Sequence, residues 1–105
     1  MTCVLYRAVT VAEYKDIQTI NGFRAYRGSL EDKQFAKSLE CGHYYGREIV
    51  ERIDRESYIL LAVNLNSDKF CNQAIQRLDD CNAVSIDRDD ILLFNQSIQK
   101  IQKIN

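Results

Sequence analysis

A chain of 105 residues is long enough for one hydrophobic core and too short for two, so a single domain over 1–105 is expected. Apolar residues at 46% and charged residues at 28% exclude a disordered or fibrous chain. With 14 Lys+Arg against 15 Asp+Glu, the net charge of −1 excludes a general nucleic-acid binder, which carries a strong basic excess.

In chain order, residues 3–9 are rich in β-branched and aromatic types and predict a strand. Thr10-Val11-Ala12-Glu13 has capping-box spacing, and a helix over about 11–20 follows, closed by Asn21-Gly22. Phe23-Arg24-Ala25-Tyr26-Arg27 alternates as a second strand, and Gly28 to Lys33 forms a polar loop. Gln34 to Lys37 predicts a third strand. Ser38 caps a helix to about Ile53, in which Gly42 and Gly46 suggest a break near Gly46 or close approach by another group. The near-continuous apolar run from Tyr58 to Leu65 predicts the central strand. Ser67-Asp68 is placed to cap a helix to about Leu78, with Phe70, Cys71, Ala74, Ile75 and Leu78 on one face. Ala83 to Ile86 is a fifth strand. A final helix follows Asp87, striped by Ile91, Phe94, Ile98 and Ile101. The resulting order, β-α-β-β-α-β-α-β-α, is that of an α+β domain.

No run is long enough to span a membrane, and the opening residues lack the features of a signal peptide, so a cytoplasmic protein without a membrane partner is expected. The four cysteines, at 3, 41, 71 and 81, form no Cys-x-x-Cys and share the chain with one histidine, His43. That spacing disfavours a zinc site, and the missing leader favours reduced thiols over disulfides. His43 reads as a helix-surface residue. Arg47, Arg52 and Arg55, interleaved with Glu48, Glu51 and Asp54, read as a solvated face of small ion pairs. No phosphate-binding glycine loop or serine elbow occurs, so any catalysis must rest on arginine, hydroxyls and carboxylates.

Leu5-Tyr6-Arg7-Ala8-Val9 with Glu13-Tyr14, then Phe23-Arg24, then Lys33-Gln34-Phe35-Ala36-Lys37-Ser38-Leu39-Glu40 and Tyr44-Tyr45-Gly46 carry a resemblance. They resemble the N-terminal half of small ADP-ribosyltransferase-like domains of bacterial polymorphic toxins, over about residues 4–50. The resemblance implies a split β-sheet flanked by helices and an NAD-dependent mono-ADP-ribosyltransferase. Such a toxin or effector module, delivered into a target cell, modifies a cytosolic macromolecule, principally a protein, and is checked by an immunity protein. It implies that Arg7 binds the dinucleotide, a task suited to a guanidinium. It further implies that Ser38 shapes the nicotinamide site and that Tyr44 or Tyr45 stacks on the ring. The family's late glutamate has no counterpart, because the last glutamate is Glu56; Asp87 is the positional substitute for the catalytic carboxylate. The bland roles stand beside these: Ser38 as a plain helix cap, one tyrosine in the core, Arg7 on a solvated strand. A catalytically inactive module acting through protein interaction is therefore the alternative function, and a small ribonuclease, disfavoured by the charge, is the third.

Overall fold

The computed structural model describes residues 2–24, 33–72, 75–78 and 81–104. The first strand, β1 (Cys3–Val9), alternates inward Leu5 and Val9 with residues of the opposite face. Helix α1 (Val11–Ile20) starts where the Thr10 hydroxyl accepts from the Glu13 amide at 3.2 Å. It ends at Asn21, whose left-handed φ of 56° suits an asparagine cap. Strand β2 (Lys33–Ala36) leads through Ser38 into α2 (Leu39–Tyr45). The helix expected to continue to Ile53 switches at Gly46 into a π-helical segment, Gly46–Glu51. Both helix glycines mark close approaches. A Cβ on Gly46 would lie 2.5 Å from the Tyr58 ring, and one on Gly42 would lie 2.9 Å from Leu60.

Strand β3 (Ile59–Leu65) is followed by β4 (Ile75–Leu78), β5 (Cys81–Ile86), a 3-10 turn (Arg88–Asp90), α3 (Ile91–Ser97) and β6 (Ile98–Lys103). The apolar run expected as the central strand is β3, and its place is corrected: it lies fifth of six, between β1 and the edge strand β6, while its burial along most of its length accounts for its apolar character. All pairings are antiparallel, in the order β4-β5-β2-β1-β3-β6. One face of the sheet carries Leu5, Phe35, Val63 and Val84 under α1, α3 and the loop residue Phe70. Phe94 stands at the middle of that core, with ring centroids 4.8 Å from Phe35, 5.2 Å from Phe70 and 6.0 Å from Phe23. The opposite face, including Ala36 and Leu60, lies under α2 and the π-helical segment.

Several expectations are corrected. The helix expected to run from 67 to Leu78 is absent: residues 69–72 form turns and 75–78 form β4, because pairing with β5 through Ile75↔Val84 to Leu78↔Cys81 outweighs local helical spacing. The final helix stops at Ser97. Ile98 and Ile101, an odd number of residues apart, both reach the core from a strand because the β3–β6 register skips between Asn64↔Lys100 and Leu65↔Ile98. A bulge thus imitates a helical stripe. Phe23 and Arg24 lie outside any strand, while the rest of that expected strand and most of the polar loop fall outside the described residues. The cysteines are not reduced: Cys3 is bridged to Cys71 and Cys41 to Cys81. Folding brings together thiols that the linear spacing keeps apart.

Phe23 is held by a side chain. Asn95 accepts from its amide and donates to its carbonyl, both at 2.8 Å, in the manner of a strand neighbour. Asn95→Ala leaves two main-chain groups without these partners, and a loss of about 1–2 kcal/mol is expected as a lower urea midpoint with unchanged slope.

Candidate functional site

The ladder between β1 and β2 consists of the single pair Tyr6↔Ala36, after which the two strands part. A cleft of about 150 Å³ opens at this parting. Residues of both sheet layers line it: Arg7, Val9, Thr10 and Glu13 from the α1 side, and Tyr6, Ala8, Tyr45, Ile49 and Val50 from the α2 side, together with Gln34 and Asp54.

Arg7 organises the polar end. Its Nε donates to Glu13 Oε2 at 2.7 Å and one Nη donates to Glu13 Oε1 at 3.1 Å, the bidentate geometry natural to a guanidinium and a carboxylate. The other Nη donates to the Gln34 carbonyl at 2.8 Å, occupying a position near the end of the short β1–β2 ladder. The guanidinium also lies 5.6 Å from the centroid of the Phe35 ring. Lys33 Nζ reaches Glu13 at 3.9 Å, and the side chains of Arg7, Glu13 and Lys33 are only 19%, 22% and 17% exposed. Burial pushes the Glu13 carboxyl up, but the Arg7 hydrogen bonds and the charges of Arg7 and Lys33 prevail and hold it below its ordinary value. Burial, followed by the neighbouring Arg7 charge, pushes the Lys33 ammonium down.

The expected site residues separate. Arg7 and Tyr45 line the cleft, and the Tyr45 hydroxyl donates to the Cys81 carbonyl at 3.1 Å. Tyr44 lies outside the lining, its ring 5.7 Å from that of Tyr45. Ser38 is exposed at the start of α2, where its hydroxyl accepts from the Cys41 amide at 3.1 Å; it caps the helix and does not line the cleft. Asp87 is exposed ahead of the 3-10 turn, away from the lining, and makes no side-chain cap there. His43 Nδ1 is paired with the Tyr58 hydroxyl at 2.8 Å.

Two carboxylates of the cleft escaped the sequence. Of the capping box that Thr10 to Glu13 predicts, only the threonine half forms, and the Glu13 carboxylate turns to Arg7. Asp54 is exposed, as a solvated charged face requires, and lines the cleft from there, while Arg52 and Glu48 of that face pair at 2.9 Å with 77% and 40% exposure. Glu13 follows Arg7 by six positions across a strand-to-helix turn, a spacing that could have signalled the pair. Among the described residues no cluster of His, Cys, Asp and Glu could hold a metal ion, and no helix is long and apolar enough to cross a membrane. No family model, curated protein or solved structure matches the chain.

Proposed function

We propose that the chain is an ADP-ribosyltransferase-like module that uses its cleft to bind a protein partner rather than to transfer ADP-ribose from NAD. The observation that carries this reading is the engagement of Arg7, whose guanidinium bonds Glu13 twice and the Gln34 carbonyl once. The Ser38 hydroxyl is likewise spent on its helix cap. Size points the same way: about 150 Å³ suits one ring or side chain, whereas sites for larger organic ligands run to roughly 300–1,000 Å³. A partner side chain inserted between Tyr6 and Tyr45 would meet apolar walls with polar groups at the rim, the usual composition of an anchoring site.

The transferase reading keeps one specific support, since Arg7, Tyr45 and the carboxylates of Glu13 and Asp54 share the cleft. In it Arg7 would leave Glu13 to hold the dinucleotide, Tyr45 would stack on nicotinamide, and Glu13 would supply the carboxylate that the late sequence lacks. It also keeps the cytosolic target and the immunity protein. Two disulfides then call for folding in an oxidising compartment before delivery.

Calorimetric titration with NAD, together with a nicotinamide-release assay in cell extract, tests the two. The binding module is expected to give no heat and no release. Sub-millimolar NAD binding that disappears in Arg7→Ala would overturn it in favour of the transferase.

A further inference from the structure

We propose that the Cys41–Cys81 bridge is a redox latch on the cleft, holding Tyr45 in its wall when oxidised and releasing it when reduced. This rests on the preceding reading only in treating the cleft as the binding site. Cys41 and Tyr45 stand four residues apart on α2, hence on one face of the helix. Both grip the same residue of β5: Cys41 is covalently bonded to Cys81, and the Tyr45 hydroxyl donates to the Cys81 carbonyl at 3.1 Å. Tyr45 is also where α2 ends and the π-helical segment that supplies Ile49 and Val50 to the cleft begins. A covalent tie one turn away therefore fixes both the aromatic wall and the direction in which the next lining residues leave the helix. Seven residues are too few for α2 to hold its place without tertiary contacts.

The two bridges differ in access. Cys71 is 8% exposed and belongs to the core with Phe70, and its partner Cys3, half-buried, packs against that core. Cys41 and Cys81 are both half-buried and lie outside the core cluster, beside the exposed start of α2. A dithiol reductant thus reaches the latch first. Its thiolate attacks one sulfur of the bridge, the resulting mixed disulfide is resolved by its second thiol, and the reductant leaves as a disulfide. Two electrons and two protons pass to the protein, which keeps Cys41 and Cys81 as thiols.

Amide exchange and chemical shifts of 15N-labelled protein test the proposal without any ligand, so the result is independent of what the cleft binds. In C41S/C81S, amides of α2 are expected to exchange about tenfold faster, and those of Tyr6, Ala8 and Ile49 to shift, while paired β1 and β3 amides keep their protection. Limited dithiothreitol should reproduce that pattern in the unaltered protein before Cys3–Cys71 opens. Tyr45→Phe, which retains the bridge, should shift the cleft amides and leave α2 protected. Unchanged cleft shifts in C41S/C81S, opening of Cys3–Cys71 ahead of the latch, or collapse of the whole fold on losing this one bridge would each overturn the proposal.

Discussion

Phe94→Ala will lower the unfolding free energy by about 3–5 kcal/mol, read as a large fall in the urea midpoint. Phe94 has 0% exposure, and its ring touches those of Phe23, Phe35 and Phe70, which come from a loop, a central strand and a second loop. Truncation removes the transfer free energy of the ring and opens a void that three aromatic neighbours on separate elements cannot fill together. It also removes edge-on ring contacts, each worth roughly 0.5–1.5 kcal/mol beyond area burial. A domain of this size has only about 5–15 kcal/mol to lose, so the variant will be close to unfolding at physiological temperature. Phe94→Leu, which keeps most of the volume, is expected to recover more than half of the loss.

The second large effect lies at the cleft. Arg7→Ala will leave the Glu13 carboxylate with burial still acting on it and its main partner removed, a destabilisation of about 2–3 kcal/mol at neutral pH after allowance for partial exposure. Its pH dependence carries the sign. In the intact protein Glu13 titrates below its ordinary value of 4.5, so it contributes stability that is full above that pH and is lost as pH falls through the folded-state value. In Arg7→Ala the desolvation that pushes the carboxyl up is opposed only by the weaker Lys33 charge, and this acid-side loss should shrink or reverse. Denaturation midpoints from pH 3 to 7 for both proteins, with NMR titration of the Glu13 carboxyl, check it. An unchanged Glu13 titration in the variant would mean that Arg7 does not set it.

The first half of the chain was the more legible. The strand over Cys3–Val9, the helix over Val11–Ile20 with its Thr10 and Asn21 ends, and the Ser38 cap each follow from side chains that act on their own or adjacent backbone. The disturbance at Gly46 was visible for a related reason, since glycine within a helical pattern marks a contact that no side chain could tolerate. In the second half, two stretches that carry helical spacing are strands. Local preference there amounts to a fraction of a kcal/mol per residue, less than a strand gains by pairing with β5 or β3.

The cleft divides along the same line. Arg7 and the Tyr44-Tyr45 pair are legible because their residue types suit recognition wherever they fall, but which tyrosine lines the cleft, and that Ser38 and Asp87 do not, is not. Glu13 and Asp54 are not legible as cleft residues because an acidic residue near a helix end or on a charged helix face has a sufficient local explanation. By itself, then, the amino-acid order determined the α+β class, the existence of a long buried apolar strand though not its place in the sheet, the helix ends and an arginine suited to recognition on the first strand. Only the tertiary structure decided which thiols are joined, where β1 and β2 part, and that Arg7 meets Glu13 while Ser38 faces solvent. Those outcomes depend on distances between residues far apart in the chain, which strand pairing and packing create and no local spacing encodes.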